Sequence, residues 1–169
     1  MSRWKLVSQK TILKAKLFDV KKIDFETKTG KKKIHHIAER TPIALVFPLT
    51  DSYELYLVSE YRYMLNKTVL QAVAGHVERK ETAIAAAKRE LKEETGITAQ
   101  QFEELARVDL ASSAFKSKIH LFLAKGLEMG DNKLDEDEEI SVVKMPLSEA
   151  VEKVMLGEIN HAASMIGIL

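Results

Sequence analysis

The chain of 169 residues contains no cysteine. That absence excludes disulfides, thiolate zinc sites and cysteine nucleophiles. No apolar run reaches the ~18 residues that cross a bilayer as a helix. The opening "MSRWKLVSQK" lacks the apolar core of a signal peptide. The expectation is a soluble, cytoplasmic protein with no membrane partner. No linker, internal repeat or low-complexity tract divides the chain, so its length suggests one domain with room for a small appendage.

What is present is a core. Apolar residues make up 46% of the chain, which argues against intrinsic disorder. The net charge of +1 conceals an asymmetry: residues 1–40 hold 12 Lys and Arg against 4 acids, and the rest holds 14 against 21. A basic N-terminal segment can face nucleic acid or another anion. Here it lacks interleaved aromatics at a stacking spacing, and "TKTGKKK" reads more simply as the charged tip of a hairpin. Nucleic acid is therefore not the expected partner.

Strand signals dominate the first 73 residues. Two strands flank "TKTG", where Gly30 can take a positive φ. "PIALVFPL" at 42–49 suits a buried strand, and "ELYLVSEYR" at 54–62 alternates after the turn cluster "TDS". A helix is expected over 81–94, ended by Gly96. "FEELARVDL" and "KIHLFLAKGL" read as strands around the loop "ASSAFKS"; the acidic loop "DNKLDEDEE" and the strand "ISVVKMP" follow. Ser148 is the expected N-cap of a helix stopped by Gly157, and "NHAASMIGIL" suits a last packed helix. Many strands with two or three inserted helices indicate an α+β or layered α/β/α domain.

The helix at 81–94 carries the chemistry. At about 100° per residue, Glu93 lies to one side of Glu90 and Glu94 to the other, so three carboxylates share a face beside Arg89. Ala83, Ala85, Ala86, Ala87 and Leu91 offer small apolar surface for packing on a sheet. Carboxylates crowded on a half-buried helix call for a cation among them. Mg²⁺ suits this role because it prefers oxygen ligands and keeps several waters. Arg89 is a second counter-charge, through Glu93 at i+4. The competing reading is a solvated Glu-rich helix.

The spacing decides between them. Gly75, Glu81, Arg89-Glu90-Leu91, Glu93-Glu94 and Gly96-Ile97 match G-x5-E-x7-R-E-U-x-E-E-x-G-U, with U a bulky aliphatic residue, at every specified position. This resembles the Nudix box, and the chain is identified as a member of the Nudix hydrolase family. The resemblance implies an α/β/α sandwich with a mixed central sheet over residues 41–169. Residues 1–40 would form an N-terminal strand and hairpin extension. It implies Mg²⁺, with Mn²⁺ as a substitute, held against a pyrophosphate by Glu90 and Glu94, with Glu93 nearby and the Ala74 carbonyl as a further ligand. Gly75 would open the loop, Gly96 would close the helix, and Glu81 and Arg89 would hold the motif in shape as an ion pair.

Outside the box, "LVSEYRY" and the C-terminal "EDEEISVVKMPLSEAVEKVMLGEINHAASMIGIL" are similar to the ADP-ribose and nucleoside diphosphate sugar pyrophosphatase branch. In that branch a glutamate on the loop before the last strand assists catalysis. Glu136 and Glu138 match it, with Glu138 as a further metal ligand and Glu136 as general base, or Glu139 replacing either. Arg62 would reach a phosphate or ribose, with a structural salt bridge as the plain alternative. Trp4 and Phe18 would stack on a base, or serve packing or dimer contacts. His35, His36, His120 and His161 show no metal-ligand spacing and read as surface or loop residues. Three departures stand out: "SSAFKS" lacks the branch's Pro-Gly pair, the branch's glutamate before the box is Gln71, and its proline is Val73.

The resemblance thus implies hydrolysis of a nucleotide-sugar pyrophosphate by a homodimer. Leu13, Leu17, Phe18 and Val20 would be covered at its two-fold interface. The alternatives are a Nudix enzyme for nucleoside triphosphates, dinucleoside polyphosphates or capped RNA, or an inactive binding module.

Overall fold

A computed structural model describes residues 4–110, 114–132 and 139–169. The chain falls into two compact units, one drawn from Met1–Pro42 and Asp109–Lys118, the other from Ile43–Val108 and Ile119–Leu169.

The first unit is an antiparallel meander. It comprises β1 (Trp4–Lys14), β2 (Phe18–Thr27) and β3 (Lys32–Arg40). Gly30 turns the β2–β3 hairpin at φ +78°, the left-handed conformation expected of it. The start of β9 (Phe115–Glu128) runs parallel to β3, pairing Ala38 with Phe115. Phe115 to Ser117, expected in a loop, are therefore strand. Glu39 joins the Nζ atoms of Lys116 and Lys21. Trp4 lays its ring edge against Phe25 and His35, at 6.0 and 5.6 Å between centroids, so it packs within this unit. Leu13, Leu17 and Phe18 stand 48%, 42% and 43% exposed, and Val20 is half-buried.

The second unit is layered. β4 (Ile43–Pro48) lies between β7 (Val73–His76), antiparallel, and β9, parallel, which makes the sheet mixed. β8 (Thr98–Leu110) pairs with β9. A second sheet takes the order β10 (Ile140–Pro146), β5 (Glu54–Arg62), β6 (Lys67–Gln71). Successive strand residues point to opposite faces, and the core divides accordingly. Leu45 and Phe47 enter one apolar cluster with Leu121, Ala150, Ile159 and Ala163, whereas Ala44 and Val46 enter another with Ala86, Ala87, Leu91 and Phe122.

The second cluster is covered by α1 (Ala83–Thr95). Its buried stripe runs through Ala86, Ala87, Leu91 and Glu94, while Ala85, expected to pack, is exposed. Thr82 caps the helix by accepting the Ala85 N–H at 3.2 Å. Gly96 ends it at φ +72°, with backbone packed so close that a Cβ would lie 2.3 Å from the Gly130 carbonyl oxygen. The first cluster is covered by α2 (Leu147–Met155) and α3 (Ala162–Ile168). Ser148 is not the N-cap. β10 runs directly into α2, so Pro146 takes that position. Gly167 lets α3 settle on the Phe47 ring, where a Cβ would meet Cζ at 2.1 Å.

Candidate active site

The loop and helix at 75–96 are organised by one guanidinium. Arg89 donates from Nε and Nη2 to the two Glu81 oxygens, both at 3.1 Å, and from Nη2 to the His76 carbonyl at 3.1 Å. Its Nη1 reaches Glu90 Oε1 at 2.7 Å and Glu93 Oε2 at 3.0 Å. The end of β7, the loop and two turns of α1 are thus fastened at one side chain. Bidentate pairing to a planar carboxylate needs the fixed fork of arginine, which lysine lacks. The three carboxylates hold the Arg89 proton more firmly than usual, Glu81 contributing most. In turn Arg89, with the Glu78 N–H, holds the Glu81 carboxyl below its ordinary pKa.

Glu81 also shapes the loop: its Oε2 accepts the Glu78 N–H at 3.0 Å, and Lys80 adopts φ +73°. Such a conformation is uncommon outside glycine. It is tolerated here in a turn closed by the Glu81 N–H on the Glu78 carbonyl at 3.1 Å.

Gly75 is a matter of space. A Cβ there would lie 1.8 Å from Cδ and Oε1 of Glu90, so the Glu90 carboxylate rests against the bare backbone of residue 75. Ala74, immediately before it, pairs with Leu45 in β4. Glu94, one turn beyond Glu90 on the same face, is 8% exposed. A carboxylate at that depth is costly to keep charged without compensating charge or hydrogen bonds. Among the described residues no three carboxylate or imidazole groups form a ready-made cation cage. Glu90 and Glu93 are instead drawn onto Arg89.

The structure therefore brings together Gly75, Glu81, Arg89, Glu90 and Glu93, with Glu94 buried beside them. Arg62 stands at the end of β5 on the three-stranded sheet, where it pairs with Glu60 at 2.8 Å. Glu136 and Glu138 lie outside the described residues; Glu139, which follows them, is exposed.

Two arrangements escaped sequence reasoning. His161, read as a surface or loop residue, is half-buried, and its Nδ1 lies 2.8 Å from Ser164 Oγ. Burial, and secondarily Arg62, lower its pKa. Ser164 is fully buried and accepts the Ala72 N–H at 2.9 Å, fixing the backbone two residues before Ala74. A serine on the buried face of "AASMIGI" was the available signal. His120, read the same way, sits within β9 with Nδ1 2.7 Å from Glu104, whose carboxyl is held down to about 2 chiefly by Arg107 and then by His120.

Comparison with known proteins gives a consistent picture. The NUDIX domain family model matches residues 39–164. The chain is 30% identical over 171 residues to the ADP-ribose pyrophosphatase of Bacillus subtilis, covering 97% of this chain and 92% of that one. It is 29% identical to the methanol dehydrogenase activator of Bacillus methanolicus, with the same coverage. The ADP compounds hydrolase NudE of Escherichia coli is 26% identical over 95% of this chain and 87% of its own length. Among solved structures, an ADP compounds hydrolase superposes with a TM-score of 0.84 and 25% identity, covering 99% of this chain and 91% of that one.

Proposed function

From the premise that the chain belongs to the NUDIX family, we propose that it hydrolyses the pyrophosphate bond of ADP-ribose-type nucleoside diphosphate sugars. Water adds to one phosphorus, the bridging P–O bond breaks, and the products are a nucleoside monophosphate and a sugar phosphate. The carrying observation is the intact box: Arg89 fastens Glu81, Glu90 and Glu93 while Gly75 makes room for the Glu90 carboxylate. The relatives acting on ADP-ribose and ADP compounds support this substrate class.

The donor set fits Mg²⁺, with Mn²⁺ as its substitute. All candidate donors are hard oxygens, and Mg²⁺ needs only one or two carboxylates because it keeps several waters. Glu90, Glu94 and the Ala74 carbonyl would hold it, with Glu93 beside them and Glu138 as a further ligand. Bound there, the ion would supply positive charge against the phosphoryl oxygens and make water a better nucleophile. The chain's own part is positional. Arg89 keeps the box helix in register with its loop, Arg62 binds a substrate phosphate or ribose, and Glu136 serves as general base. Residues 1–40 pair across a two-fold axis in a homodimer and contribute to the partner's pocket; the exposed Leu13, Leu17 and Phe18 support such an interface.

Comparing rates on ADP-ribose, GDP-mannose, dGTP and a diadenosine polyphosphate tests the reading. ADP-ribose should be preferred. A clear preference for dGTP would replace it with triphosphate hydrolysis, and no metal-dependent hydrolysis of any of the four would leave a binding module.

A further inference from the structure

Arg62 is the outer end of a short chain of polar contacts that begins in the core. Strands β5 and β6 pair Val58 with Gln71, Glu60 with Val69, and Arg62 with Lys67. Directly opposed residues share a face, so Gln71 and Glu60 are diagonal neighbours within reach of a long side chain. The Gln71 amide donates from Nε2 to Glu60 Oε2 at 3.1 Å, and Glu60 Oε1 takes Arg62 Nη1 at 2.8 Å. Exposure rises along the chain: Gln71 is 3% exposed, and the side chains of Glu60 and Arg62 are 20% and 43% exposed. A buried amide thus orients a carboxylate, and the carboxylate orients a guanidinium at the surface.

We propose that Gln71 and Glu60 are positioning residues that hold the Arg62 guanidinium for an anionic group of the substrate. The proposal rests on the reading of Arg62 as a substrate-binding residue. Guanidinium has five N–H donors in a rigid fork, so fixing Nη1 on Glu60 sets the direction of the others. An unanchored arginine loses rotamer freedom when it binds an anion; a held one has lost it already.

The amide at 71 is the particular feature. It can donate to Glu60 at every pH at which Glu60 is ionised. A carboxylate there would face Glu60 directly, and two neighbouring carboxylates share a proton or repel. Other groups also face this cluster. Ile140 lies opposite Glu60 on β10, and Lys67 lies opposite Arg62 on β6. His161 is near enough to Arg62 that the guanidinium adds to burial in lowering the imidazole pKa.

The test is steady-state kinetics of the full chain on ADP-ribose with Mg²⁺, comparing Arg62→Ala, Gln71→Leu and Gln71→Glu with the natural protein at each pH. Arg62→Ala should raise KM. Gln71→Leu should raise KM about tenfold, the size of one charge-assisted hydrogen bond, with kcat nearly unchanged. Gln71→Glu is isosteric and keeps the pH series decisive even if the leucine variant folds poorly. Its KM should match the natural protein at about pH 5, where a shared proton restores the donor, and exceed it by about tenfold near pH 8. If Arg62→Ala raises KM while Gln71→Glu follows the natural protein at every pH, the positioning role is overturned and the reading of Arg62 stands. An unchanged KM in Arg62→Ala overturns both. Losses confined to kcat and thermal stability would assign Gln71 a structural role only and overturn the proposal.

Discussion

The carboxylate of Glu90 occupies the space in which residue 75 would carry its Cβ, at 1.8 Å from the ideal position. Glycine is required there for volume and not for a left-handed backbone, since Gly75 is absent from the positive-φ residues. The two residues are far apart along the helix and loop, yet each defines where the other can be.

Gly75→Ala should therefore separate folding from catalysis. The Glu90 side chain can swing away from the new methyl, so the stability loss should be about 1 kcal/mol, the ordinary size for a point substitution. Turnover should fall much further, by about 10²-fold or more, because a carboxylate displaced by an ångström no longer meets its ligand or substrate. Chemical denaturation alongside kcat measures both.

Arg89→Lys should destabilise by roughly 2 kcal/mol, because a single ammonium cannot serve Glu81, Glu90, Glu93 and the His76 carbonyl together. The pH dependence follows from Glu81, whose folded pKa is lowered, first by its hydrogen bonds to Arg89. A depressed carboxyl stabilises the fold above its unfolded pKa of about 4.3 and loses that contribution as pH falls through the folded value. The gap between natural and Arg89→Lys melting temperatures should therefore be widest near neutrality and narrow in acid.

Ser164→Ala removes the acceptor of the buried Ala72 N–H. Leaving that donor unsatisfied should cost about 1–3 kcal/mol. Ser164→Thr, which keeps a hydroxyl, should lose less if the added methyl is accommodated. Urea denaturation of both variants checks the order.

These relationships mark where the sequence could and could not be read. Gly30 and Gly96 were legible because a turn and a helix end each demand a backbone that glycine adopts readily. The strands Glu54–Arg62 and Ile140–Pro146 were legible from alternation and flanking turn residues, and they end where expected. The grouping of Glu81, Glu90 and Glu93 around Arg89 was legible through the resemblance of nine fixed positions to the Nudix box. What spacing could not reveal was contact across the chain. Gln71 was visible as a departure in residue type, but its hydrogen bond to Glu60 depends on the register of β5 against β6. Ser164 and Ala72 are separated by 92 positions, and nothing local in either segment points to the other. Ser148 was misplaced because a serine ahead of an apolar run resembles a cap, whereas the strand hands over to the helix two residues earlier.

The proposed dimer makes its own prediction. Full-length protein should scatter light as a dimer at micromolar concentration. Removing residues 1–40 should give monomers with raised KM although every box residue remains. A monomeric full-length protein would remove the interface and the pocket contribution assigned to it.

The most direct test of the proposed chemistry is product analysis of ADP-ribose hydrolysis with Mg²⁺, run on the natural protein and on Glu90→Gln and Glu94→Gln. The natural protein should release AMP and ribose 5-phosphate in equal amounts, and the two variants should remain folded while turnover falls by about 10²-fold or more. Intact ADP-ribose, cleavage at any other bond, or full activity in both variants at limiting Mg²⁺ would contradict it.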